Sequence, residues 1–424
     1  MRKQRIGLWP VIALVIGSQI GVGVFVLPTT LAPLGTLSIF GWAASGIGAV
    51  MLALIFGKLC THIPKAGGPH VFVNAAFGKD LAFFTGWSYW VISWTSNIAV
   101  IIAVVSYLAP VIGPTSKMTN FLLEFGIFAA LTAINLRGTH IAGIFEVFLT
   151  IFKCIPLFII PIIALFHFDS SNIHPINPSD LPISAIIGRA TLLTFWGFIG
   201  LESATANASI IERPEKVVPI AVTYGTISVA IIYALNSVGI MGVVPNDVLL
   251  TSTAPYVDAT SRIFGHGWDA GVAIIASLAC VGTLNAWILT GGQIAYGAAK
   301  DGLFPKYFSK LNTFRAPSNG LMVAFYGTIP LLLMTVSDNL VDQINIVIDA
   351  AVTGFLGIYI ACMLAFIRLY HKEHKYYSII AFIGSVFCLW VMFSSHWLNL
   401  VITSIIVLSG FPVYLSQKNK VDEK

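Results

Sequence analysis

The chain alternates long apolar stretches with short polar ones. Twelve apolar segments fall at residues 11–34, 36–60, 81–112, 119–136, 141–166, 183–211, 219–245, 268–298, 320–337, 341–368, 376–395 and 397–416. Each has about the length a helix needs to cross a bilayer, roughly 20 residues, and only a helix satisfies its backbone without a partner segment there. The pattern therefore predicts an all-α membrane protein of twelve transmembrane helices with both termini on one side. Two segments depart from it. The first carries GSQIGVG at its centre, Gly17 to Gly23, and the sixth ends in FWGFIGLESATANAS, residues 195–209. Glycine inside a helix costs about 1 kcal/mol relative to alanine, and unwound backbone at membrane depth is tolerated only against protein or a water-filled cavity. Close packing of small residues would account for either cluster taken alone. The same anomaly recurring five segments apart predicts two broken helices in corresponding halves, around a midplane site.

Composition narrows the class. At 57% hydrophobic, 10% charged and a mean hydropathy of +0.87, a 424-residue chain is excluded from the soluble proteins. With both termini in the cytoplasm, nineteen of the 23 lysines and arginines face inward. Only Lys117, Arg189 and Arg262 face outward, and Lys153 lies within the fifth segment. This asymmetry orients a multi-pass chain in the cytoplasmic (inner) membrane and explains the net charge of +5 without nucleic acid. The basic start MRKQR runs directly into the first segment, without the small-residue exit of a cleavable signal. The five cysteines sit in or beside apolar segments and read as packing residues, not a disulfide framework. No phosphate-cradling loop, metal-ligand spacing or nucleophile–base pair occurs, so neither cofactor, metal nor enzymatic activity is expected. The connections near 169–180 and 245–265 read as short or mildly helical, leaving residues 1–424 as a single polytopic domain.

Several motifs resemble those of one superfamily. They are GSQIGVGVFVLP at 17–28, PKAGGPHVFVNAAFGK at 64–79, YWVISWTSNIA at 89–99, FWGFIGLESA at 195–204, ERPEKVVPIA at 212–221 and AWILTGGQIAYGAAKDGLFPKYF at 286–308. The chain resembles the amino acid–polyamine–organocation superfamily over nearly its whole length, and within it the bacterial arginine/agmatine and putrescine/ornithine exchangers. The resemblance implies a five-plus-five inverted repeat, residues 7–166 and 183–370, followed by two extra helices in 376–416. It implies alternating access around a central site and exchange of a basic amino acid for a related amine or amino acid.

Its site residues follow position by position. Backbone N–H groups of Gly21, Val22 and Gly23 would receive a carboxylate, and carbonyls near Gly17 and Ser18 and around Trp196 and Ile199 an ammonium; backbone offers such arrays at no charge cost. Where the exchangers read glycine-serine-glycine, this chain reads Gly21-Val22-Gly23, so a hydroxyl contact is missing. Trp196 and Trp287 match aromatics that face the substrate, where an indole holds a cation for about 0.5–2 kcal/mol. Ile92, Ser93, Asn97 and Val100 lie at helical spacing on roughly one face, which the exchangers turn toward the substrate side chain.

Three intramembrane charges are candidates for gating or proton coupling. Glu202 reads as a gate or as a carboxylate bonded within its turn. Lys153 resembles the lysine of proton-coupled, sodium-independent members and reads either as a proton carrier or as a fixed counter-charge. Asp349 either complements a cationic substrate or pairs internally. His70 stands where a tyrosine is usual, either sensing pH or simply solvated at the cytoplasmic surface. Proton-coupled uptake through Lys153 is the alternative to exchange, and a non-transporting amino acid sensor a third reading. The implied partners are amino acid or amine substrates and the lipid bilayer, with protons and a homodimer left open.

Overall fold

The computed structural model describes residues 6–65, 67–173, 176–177, 181–208, 211–334 and 340–422. Part of the 169–180 connection and Ser209 of the sixth-segment motif lie outside the described residues. All twelve apolar segments hold helix. The first segment holds α1 (Leu8–Gln19) and α2 (Gly23–Leu31), the second α3 (Ile39–His62), and the connection after it α4 (Pro69–Phe77). The third holds α5 (Lys79–Thr95) and α6 (Asn97–Ile112), the fourth α7 (Lys117–Leu136) and the fifth α8 (Thr139–Phe166). The sixth divides into α9 (Ile183–Phe195) and α10 (Ser203–Ala206), and the seventh is α11 (Pro214–Val243). After α12 (Asn246–Leu249) and α13 (Pro255–Phe264) come α14 (Asp269–Lys300), α15 (Ser318–Leu333), α16 (Leu340–Tyr370) and α17 (Lys375–Phe393). The twelfth segment holds α18 (Trp397–Leu408) and α19 (Phe411–Asp422). Among the described residues nine helices are long and apolar enough to cross a membrane, and the bent pair in the first segment, angled by 40°, makes up to ten. The ninth segment, α15, is a shorter apolar helix, as is the stretch Pro156–Phe166 of the fifth.

The helices approach closely because small residues face one another. A Cβ on Gly41 of α3 would stand 2.6 Å from the Cβ of Ala190 on α9, and one on Gly57 would stand 2.7 Å from the Cα of Pro219 on α11. Inside a bilayer such close van der Waals packing replaces the hydrophobic drive that water supplies elsewhere. Polar bonds then fix the helix that carries Trp287. Ser277 of α14 donates to the Val104 carbonyl at 3.0 Å, and Asn285 donates to that of Ala142 at 3.2 Å.

The 245–265 connection is more structured than expected from sequence. Tyr256 of α13 packs against Phe25 of α2 with ring centroids 4.8 Å apart and donates its hydroxyl proton to Asn236 at 2.8 Å. Thr29 bonds the Ser252 carbonyl at 3.1 Å, so the far end of α2 is covered by protein. At the opposite end Ile6 and Ile211 form an isolated parallel bridge, and the Glu212 N–H donates to the Ile6 carbonyl at 2.9 Å. All five cysteines are free, four buried and Cys154 half-buried. Phe83, Trp87 and Trp90 are core residues stacked around Phe304, with Phe84 half-buried beside Phe83.

Gly41→Leu would overfill the α3–α9 contact at a cost of about 1–3 kcal/mol, lowering the melting temperature of the detergent-solubilised protein. Gly126→Leu, at a position with open space around it, should leave stability within about 0.5 kcal/mol.

Candidate functional site

The first segment stops being helical one turn past Gly17. Ile20 is extended, with ψ 102°, and Val22 is the residue that caps the start of α2. Breaking a helix strands carbonyls on one side and N–H groups on the other, and here specific side chains take up part of that deficit. The Tyr233 hydroxyl, from α11, donates to the Gln19 carbonyl at 2.6 Å and accepts from the Gly21 N–H at 3.2 Å. The Lys153 ammonium donates to the Gly17 carbonyl at 3.0 Å and is only 1% exposed. The Gln19 amide holds Thr226 at 3.1 Å. Among the described residues no acceptor meets the N–H groups of Val22, Gly23 and Val24, which open α2.

The sixth segment breaks beside the first. Its helix ends at Phe195, runs through a tighter turn at Trp196–Phe198 and becomes extended at Ile199, with ψ 133°. Gly200 follows at φ +104°, and a Cβ there would come within 2.9 Å of the Ser18 carbonyl, so both backbone conformation and space call for glycine. The Ser18 hydroxyl lies 3.0 Å from the Gly200 carbonyl and 2.7 Å from the Ser203 hydroxyl, joining the two breaks directly. Among the described residues the Ile199 carbonyl receives no donor.

A cavity of about 430 Å³, counted out to its open mouth, lies between the breaks. Ser18, Gly21, Val22, Gly23, Trp196, Ile199 and Trp287 line it, as expected from sequence, together with Val100. Gly17, Ser93 and Asn97 do not, nor does Ile92. The Gly17 carbonyl is held by Lys153, and the Ser93 hydroxyl is turned back onto the Trp90 carbonyl at 2.7 Å. The third segment pauses at Ser96, between α5 and α6, and it is Ser96 and Val100, one turn apart, that face the cavity. Thr283, Phe355, Gln19 and Gly197 complete the lining. Thr283 stands one turn before Trp287 on the same helix, a spacing visible in the sequence; nothing there singled out Phe355.

None of the three intramembrane charges lines the cavity. Glu202 is 1% exposed, and its two carboxylate oxygens accept the hydroxyls of Tyr89 at 2.5 Å and Tyr359 at 2.9 Å. Phe355, which lines the cavity, packs 6.0 Å from Trp287 and edge-on, 5.0 Å, to Tyr89, one of the two phenols on that carboxylate. Asp349 pairs internally, with Arg189 at 2.5 Å and Asn399 at 3.0 Å. Arg189, which the basic-residue count assigns to the outer face, lies in the second turn of α9 and pairs there with Asp349. His70 is not solvated. It is 3% exposed, and its Nε2 lies 3.6 Å from Asp301, which also bonds Lys65 at 3.2 Å. The imidazole and the ammonium beside it hold the Asp301 carboxyl below the usual range.

Residues 6–416 match the sequence profile of a family described as amino acid permease. The chain belongs to that family. The permease is 30% identical over 421 residues to the putrescine transporter PotE of Escherichia coli strain K12, spanning 97% of this chain and 96% of that one. It is 32% identical over 432 residues to the protein of that name in Haemophilus influenzae, covering 100% and 99% of the two chains. A cadaverine/lysine antiporter of Escherichia coli strain K12 is 31% identical over 329 residues, 76% of this chain and 72% of that one. The protein is thus a multi-pass membrane permease and not an enzyme.

Removing one phenol from Glu202 deletes a hydrogen bond to a buried acid, worth about 1.5–3 kcal/mol. Tyr359→Phe should lower thermal stability by that order, and less in a Glu202→Gln background, a coupling a double-mutant cycle measures. The Asp301 carboxyl, titrating lower when folded than when unfolded, contributes fully above its ordinary value of 3.8. That contribution is lost as pH falls through the lower folded value. Hydrogen exchange in residues 67–77 should accelerate on acidification through that range in the native chain and lose this dependence in Asp301→Asn.

Proposed function

We propose that this permease exchanges one small amino acid or amine for another across the cytoplasmic membrane, by alternating access to the cavity between the two broken segments. The observation that carries the reading is the meeting of both helix breaks at one cavity. There the N–H groups of Val22 and Gly23 are open on one side and the Ile199 carbonyl on the other. Such an arrangement suits a carboxylate and an ammonium at the two poles of one small molecule. Trp196 and Trp287 would hold and enclose its side chain. Exchange is favoured over one-way uptake by the likeness to an antiporter that swaps cadaverine and lysine. The twelve-helix topology, the five-plus-five repeat with two extra helices and the cytoplasmic termini belong to this proposal. Glu202 and the Arg189–Asp349 pair are assigned to holding the moving parts together. The resemblance points to a basic substrate; the charge around the cavity bears on that choice below.

Lys153 supports a second reading. A buried ammonium on the carbonyl just before the break ties the fifth segment to the first, the place where coupling to a proton gradient would act. If it is instead a fixed brace, exchange needs no ion. Proteoliposomes loaded with the twenty unlabelled amino acids should take up a labelled mixture of the same compounds at least tenfold faster than empty ones. Equal uptake into empty vesicles under an inward proton gradient, abolished by Lys153→Ala, would replace exchange with proton symport.

A further inference from the structure

The charge distribution around the cavity constrains the guest more tightly than its shape does. None of the thirteen residues lining it carries an ionisable side chain. The two buried acids nearest in role are both committed. Glu202 accepts a phenol on each carboxylate oxygen and does not line the cavity, and Asp349 holds Arg189 and Asn399. The Lys153 ammonium bonds the carbonyl of Gly17, next to Ser18 of the lining, so that carbonyl is already taken. The start of α2 adds the positive end of a helix, with its first N–H groups open.

A cation brought into such a site loses its hydration and finds no carboxylate in return. Stacking on Trp196 or Trp287 offsets only part of that loss, and a diamine would have to be accommodated twice over while leaving the α2 N–H groups unmatched. An amino acid zwitterion has the opposite fit. Its carboxylate answers the α2 N–H groups, its ammonium answers carbonyls at the breaks, and its side chain meets Trp196, Trp287, Phe355 and Val100. We infer that the permease carries amino acids whose side chains are uncharged, and that it excludes the lysine, cadaverine and putrescine named for its relatives. The inference rests on the exchange proposed above and names the substrate class of that same site.

Counterflow of labelled leucine into leucine-loaded proteoliposomes, challenged with unlabelled competitors, tests it. Phenylalanine, alanine or serine should compete, whereas lysine, arginine, ornithine, putrescine and cadaverine should be at least tenfold weaker than the best of these. A cationic compound competing as well as the best uncharged one overturns the inference. Val100→Asp and Thr283→Asp each set a carboxylate in the lining. In whichever variant elutes as a monodisperse protein, the preference should move at least tenfold toward lysine, and an unmoved ratio overturns the inference too. Exchange restricted to cationic compounds would leave the proposed function standing and end this inference alone. The absence of exchange with any amino acid or amine would end the proposed function and this inference with it.

Discussion

Backbone polar groups cannot go unmatched inside a bilayer, and the centre of this protein is arranged around one place where that demand is met from outside the helix. The broken first segment gives up its own bonds between Gly17 and Gly23. Tyr233 and Lys153, from two other segments, supply part of the replacement. What they leave open is one-sided: N–H groups at the start of α2 and a carbonyl at Ile199. Were the first segment wound through, Tyr233 would have no partner, the Gly17 carbonyl would be internally bonded, and the space beside Trp196 would hold helix.

The second break depends on the first. Gly200 lies so close to Ser18 that a side chain is excluded, and the Ser18 hydroxyl ties the two turns. The pairing also explains the different fates of the buried charges. These two acids are held by groups from more than one helix, Glu202 by two phenols and Asp349 by a guanidinium and an amide. Such acids are worth more as joints than as ligands, since a charge already matched gains little from a guest.

Much of this was legible in the residues. Apolar length marked the helices of the twelve segments, though not α4, α12 or α13 in the connections, and glycine runs marked both breaks, because each is a local property of consecutive positions. Eight of the residues expected at the site line the cavity, Trp196 and Trp287 among them. The residues that sequence does not place have separate reasons. Ser93 and Asn97 share the third segment with the cavity, yet Ser96 and Val100 are the residues of that segment that line it. Tyr233, Phe355 and the phenols on Glu202 lie 113 or more residues from some of their partners, and no periodicity announces such a meeting. His70 reads as a surface residue until Asp301, from the far end of α14, folds over it.

The bridge between Ile6 and Ile211 has a mechanical corollary. It pins the entry to α1 to the stretch that follows α10, so at that end the two interrupted segments are tied directly to each other. A fusion partner attached a few residues ahead of Ile6 would therefore pull on a point that the sixth segment shares with the first.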